Sequence, residues 1–88
     1  MPRVIVFITD SATPVAVDGA LLQHTYGLTP AEIRVAVAMA EGLTVEEAAT
    51  QLGVMPSTVT SQLKQVYAKT GTDNRAKLVK LMMSVASA

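Results

Sequence analysis

At 88 residues the chain has room for one domain with a modest core, because short chains bury proportionally less of their surface. Half of its residues are apolar and only 16% are charged, which argues against intrinsic disorder, and its few aromatics (two Tyr, one Phe) leave Ala, Leu and Val to fill a helical core. With no cysteine and one histidine there is no disulfide framework and no basis for a protein-built zinc site, and the formal net charge is zero.

The first element is Val4-Ile5-Val6-Phe7-Ile8, a β-branched and aromatic run ended by Thr9-Asp10. It reads as a strand buried on both faces. Five apolar residues are too few for a signal-peptide core or a membrane span, so the chain reads as soluble and cytoplasmic with no membrane partner. No other segment looks like a strand, so the partner of this one is expected from a second copy or from a larger parent protein. Left unpaired, such an apolar edge is an aggregation hazard. Ser11 to Val17, with Pro14, reads as a linker. Residues 1–17 are therefore expected to be a strand and linker, serving as a dimer arm or as the remnant of an upstream sensor domain. Residues 18–88 form the domain proper.

Asp18 can cap a short helix carrying Leu21, Leu22 and Tyr26, which stops at Gly27. His24 on that helix reads as a surface or helix-end histidine. Thr29-Pro30-Ala31-Glu32 then offers an N-cap threonine, proline at the first helical position and glutamate at the third, a capping box. Ile33, Ala36, Val37 and Ala40 follow at one-face spacing, and Gly42 ends the helix. Thr44-Val45-Glu46-Glu47 repeats the capping pattern, with Ala48, Ala49 and Leu52 inward and Gly53 as terminator. Pro56 opens a third helix through Val59, Leu63, Val66 and Tyr67, closed by Gly71. Thr72 or Asp73 opens the last, which runs to about Ala86. Four of the five glycines thus fall just past an expected helix end.

The last helix carries two apolar stripes. Leu78, Leu81, Met82 and Val85 can close the domain core, and Val79, Met83 and Ala86 form a second, offset stripe. A helix apolar on two sides is buried on two sides, which points to a homodimer through Val79, Met83 and Ala86, or through Val4, Val6 and Ile8 of the strand. A partly exposed C-terminal helix is the plainer alternative.

The zero net charge conceals a segregation. Residues 1–56 set Arg3 and Arg34 against Asp10, Asp18, Glu32, Glu41, Glu46 and Glu47, a net −4. Residues 57–88 set Lys64, Lys69, Arg75, Lys77 and Lys80 against Asp73, a net +4. A polyanion would dock on the basic half, although such a run also fits a solvated lysine face.

Between Thr44 and Thr70 two helices are separated by only a few residues around Gly53-Val54. Ala49 supplies the small residue where steeply crossing helices touch, Gly53 can redirect the chain, and Val54 and Val59 can plug the angle. This is the spacing of a DNA-binding helix-turn-helix, whose second helix lies in the major groove. Taken alone it also fits an ordinary helical hairpin with glycine at its bend. No Ser/His/acid set, glycine-rich phosphate loop or metal-ligand cluster occurs, so neither an enzyme nor a cofactor or small-molecule site is indicated.

The wider sequence is more specific. From Leu28 onward it resembles the C-terminal domain of LuxR-type (NarL/FixJ-type) bacterial response regulators and quorum-sensing activators. The residues that carry the likeness are Leu28-Thr29-Pro30-Ala31-Glu32, Glu41-Gly42-Leu43-Thr44, Glu47-Ala48-Ala49, Leu52-Gly53-Val54, Thr58-Val59, Tyr67-Ala68-Lys69-Thr70-Gly71 and Arg75-Ala76-Lys77-Leu78-Val79. The resemblance implies a mainly all-α fold: a four-helix helix-turn-helix bundle, here preceded by a short helix and one N-terminal strand. It implies double-stranded DNA as partner, with the recognition helix over about residues 56–70. Thr60, Ser61 and Lys64 would face base edges, and Ser57, Thr58, Tyr67 and Lys69 would meet phosphates. Tyr67 fits core packing equally well. In the family an acid at the position of Glu32 often pairs with a basic residue of the recognition region.

Three departures stand out. Thr60 replaces a common Lys or Arg, Gln62 a common His, and Met55 the usual N-cap Ser of the recognition helix. Each lost phosphate contact lowers salt-dependent affinity, and a non-capping residue costs about 0.5–2 kcal/mol. The expectation is weak, dimer-dependent DNA binding, with a non-DNA-binding interaction module of the same fold as the alternative.

Overall fold

The computed structural model describes the backbone of residues 4–8, 14–84 and 86–87 and the side chains of residues 19–84. Five helices dominate: α1 (Gly19–Tyr26), α2 (Pro30–Ala40), α3 (Val45–Leu52), α4 (Pro56–Thr70) and α5 (Arg75–Ser84). Three short strands accompany them: β1 (Val4–Ile8), β2 (Pro14–Asp18) and β3 (Ala86–Ser87). No helix among the described residues is long and apolar enough to cross a membrane.

The helix boundaries follow local chemistry. Thr29 and Thr44 each accept the N–H of the residue three places on, and Glu32 and Glu47 each return a carboxylate to the threonine N–H at 2.9 Å. Both capping boxes are therefore complete. The last helix begins at Arg75 rather than near Thr72 or Asp73, because Asn74 is the residue that caps it: its Oδ1 accepts the Lys77 N–H at 2.9 Å. Gly53 turns the chain between α3 and α4 with φ 70° and ψ 34°, a left-handed conformation that few other residues tolerate.

Helix α2 is the centre of the domain. Every residue from Glu32 to Ala40 except Arg34 is buried, so Val35, Ala38 and Met39 join the face expected from the spacing of Ile33, Ala36, Val37 and Ala40. A helix apolar nearly all round is one enclosed by neighbours, and α1, α3, α4 and α5 all pack against this one. They contribute Leu22, Ala48 and Ala49, Val59 and Val66, and Leu78 and Met82 to one core. Val59 is fully buried in the angle of the helical pair, but Val54 is exposed and does not plug it. The left-handed turn at Gly53 carries Val54 past the core.

The sheet corrects two expectations. Val4–Ile8 pairs antiparallel with Pro14–Asp18, in a register running from Val4 opposite Asp18 to Ile8 opposite Pro14. A partner thus lies within the chain, in a segment expected to be linker. Proline signalled a break there, yet it stands at the first position of β2, where a strand tolerates it. At the other end α5 stops at Ser84, and Ala86–Ser87 pair with Ala16 and Val17. Ala86 therefore does not share a helical stripe with Val79 and Met83. The side chains of Val4, Val6, Ile8 and Ala86, all expected at a dimer contact, and the whole of Val85 lie outside the described residues.

Candidate nucleic-acid interface

Helix α4 rests on α2 and α3 and presents the rest of its circumference outward. Val59 and Val66 are buried, Leu63 and Tyr67 are partly buried against the same core, and these positions recur at helical spacing. The opposite face carries Ser57, Thr60, Ser61, Lys64, Gln65 and Ala68, all exposed, with Thr58 and Gln62 half-buried at its margins. The three residues expected to face base edges, Thr60, Ser61 and Lys64, therefore lie together on the open face.

Their partners differ. Thr60 Oγ1 donates to the Pro56 carbonyl at 3.1 Å, which leaves the hydroxyl's lone pairs available. Among the described residues Lys64 takes part in neither ion pair, so its ammonium is open to a ligand. Lys69 is occupied instead: its Nζ lies 2.7 Å from Glu32 Oε1 and donates to the Gly27 carbonyl at 3.2 Å. Tyr67, expected near phosphate, packs against the core and is half-buried.

Glu32 thus serves two ends at once. Its Oε1 accepts the Thr29 N–H within the capping box and the Lys69 ammonium from α4. Burial pushes its carboxyl up, but the hydrogen bond and charge of Lys69 and the bonds to Thr29 outweigh that, holding it below the ordinary glutamate value. Arg75 makes a second cross-link that sequence reasoning missed. Its Nη2 donates to the Leu43 carbonyl and touches Met39 Sδ, fixing the start of α5 to the end of α2. The arginine itself is plain in the sequence, but nothing local marks its partner. Lys77 pairs with Asp73 at 2.9 Å on the exposed surface, and its hydrogen bond and charge hold the Asp73 carboxyl low.

The start of α4 has no side-chain cap, unlike the starts of α2, α3 and α5. Met55 occupies its N-cap with extended backbone and no side-chain hydrogen bond, and Pro56 follows with its preset φ. Two open grooves lie elsewhere, on the acidic part of the molecule. One is lined by Leu43, Glu46, Glu47, Thr50 and Gln51, the other by Arg34, Val37, Glu41, Gln51 and Leu52. Neither includes a residue of α4.

Comparison with known proteins gives one match. The GerE family model, described as bacterial regulatory proteins, luxR family, matches residues 27–82, from the end of α1 into α5. No curated protein and no solved structure matches the chain.

Proposed function

This chain belongs to the luxR family of bacterial regulatory proteins, and from that membership we propose that it is the sequence-specific DNA-binding domain of a transcriptional regulator. Helix α4 docks in the major groove, with Thr60, Ser61 and Lys64 toward base edges and Ser57 and Thr58 toward phosphate at its N-terminus. Lys64 can donate to guanine O6 and N7, and the small hydroxyl residues can bond base edges or touch a thymine methyl. Lys69 and Tyr67 flank the far end of the helix, where Lys69 reaches a phosphate only by sharing its ammonium with Glu32. Two copies bind as a homodimer, placing their recognition helices on half-sites about one turn of DNA apart. The domain catalyses no reaction of its own and acts in the cytoplasm, where the DNA is.

The observation that supports it best is the exposed polar face of α4 with an unpaired Lys64 at its middle, inside the matched family segment. One observation favours a second reading. Lys69 is held in an ion pair with Glu32, which leaves Lys64 as the single uncommitted cation of α4. A surface so short of charge suits a helix-turn-helix fold that binds protein or only dimerises. Titration of a fluorescent duplex at low and moderate salt separates the two. Binding that weakens steeply with salt supports the regulator, and absence of binding at low salt selects the interaction module.

A further inference from the structure

The turn between α3 and α4 exposes two apolar side chains in succession, Val54 at 39% and Met55 at 68%. Met55 is the most exposed large hydrophobic among the described residues, whereas Met39 and Met82 are buried. It also stands where a capping side chain would help: Thr29, Thr44 and Asn74 all supply a side-chain cap to their helices, and Met55 supplies none. The residue therefore costs the free domain a helix cap and gains it little by burial. It does so at the end of α4 that leads into Ser57, Thr58, Thr60 and Ser61.

Resting on the DNA-binding reading, we infer that Met55, flanked by Val54, is an apolar contact to the duplex. Its unbranched, polarisable chain lies against apolar surface on the groove wall, either the face of a deoxyribose or the 5-methyl of a thymine. A duplex is otherwise met through charge, and each phosphate contact is weakened by salt. An apolar contact releases no counterions. It therefore offsets the missing cation at Thr60 with binding that salt leaves untouched. The partner is DNA rather than protein because the exposed pair leads directly into the polar face of α4, whereas neither groove beside α3 includes Val54 or Met55.

Four proteins test this on one fluorescent duplex over a salt series: wild type, Met55→Leu, Met55→Ala and Met55→Ser. Met55→Leu keeps the affinity. Met55→Ala and Met55→Ser lose about three- to tenfold, with the slope of log affinity against log salt unchanged. Met55→Ser at the same time raises the thermal midpoint by about 2–8 °C, because serine caps the helix. Stability and affinity then move in opposite directions, which a purely structural residue does not produce. Replacing thymine by uracil distinguishes the two sources: a loss seen in wild type and absent in Met55→Ala assigns the methyl, and equal binding assigns the sugar face. Unchanged affinity in Met55→Ala, or a loss accompanied by a shallower salt slope, overturns the inference while leaving the DNA-binding reading standing. A wild-type protein that fails to bind at low salt overturns that reading itself.

Discussion

Lys69 in the last turn of α4 places its Nζ 2.7 Å from Oε1 of Glu32 in the first turn of α2, joining two helices whose sequence positions are 37 residues apart. The same carboxylate oxygen closes the capping box with Thr29. Each interaction orients the carboxylate for the other, so Glu32 sets where α4 ends relative to the centre of the domain.

Two substitutions divide these roles. Glu32→Gln keeps a side chain that can still bond the Thr29 N–H and removes only the charge, so a loss of about 0.5–1 kcal/mol is expected, modest because Lys69 is a third exposed. Glu32→Ala removes cap and ion pair together and costs about 1–3 kcal/mol. Urea unfolding monitored by circular dichroism checks both. The folded-state pKa of Glu32 lies below its ordinary value, so its stabilisation is present above the ordinary glutamate range and is lost as pH falls through the folded value. The gap between wild type and Glu32→Gln should close in acid; a gap that widens there contradicts the ion pair.

Gly53 isolates a backbone effect. A Cβ built there meets nothing within 4 Å, so Gly53→Ala introduces no clash and its whole effect comes from φ 70°. The expected loss is about 1–2 kcal/mol, read as a lower urea midpoint with an unchanged slope. An alanine variant as stable as wild type would mean that the turn reaches its angle another way.

These two sites were legible because their chemistry is local. Thr29 with Glu32 and Thr44 with Glu47 are three residues apart, and a glycine after an apolar helical run marks a left-handed turn whatever the tertiary fold. The open face of α4 was legible for a related reason: the spacing of Val59, Leu63 and Val66 fixes the inner face and so the outer one. What stayed hidden depends on distant partners or on several equal candidates. Thr72, Asp73 and Asn74 can all cap, and only the folded chain selects Asn74. Arg75 finds a carbonyl 32 residues away, which no spacing rule anticipates. The burial of Val35, Ala38 and Met39 follows from α2 being surrounded, not from its own period. Pro14 read as a linker because proline interrupts a strand more often than it starts one.

Lys64 and Lys69 should separate when DNA binding is measured. Lys64 is unpaired on the open face, so Lys64→Ala is expected to lower affinity about five- to a hundredfold and to relax discrimination at one base pair. Lys69 is engaged with Glu32, so Lys69→Ala is expected to act chiefly on stability, with a smaller change in affinity. Competition titrations with single-base-pair variants of a selected site, run beside urea unfolding, give both quantities. Equal loss on every duplex in Lys64→Ala, with a salt slope reduced by about one, would reassign Lys64 from base to phosphate.

The dimer contact can be assigned through Met83. Val79 and Met83 share a side of α5, but Val79 is half-buried against the core while Met83 is 42% exposed. Val79→Glu therefore confuses folding with association, and Met83→Glu does not. If α5 pairs with its counterpart in a second copy, Met83→Glu places two carboxylates in an apolar contact, and sedimentation should show monomer with an unchanged thermal midpoint at low concentration. If the dimer survives, the sheet is the remaining candidate. With strands ordered β1-β2-β3, β1 pairs on one side with β2 and, among the described residues, has no strand on its other edge, where the same strand of a second copy could pair. In that case association should resist Met83→Glu and yield to a proline placed within Val4–Ile8, since proline removes a ladder donor.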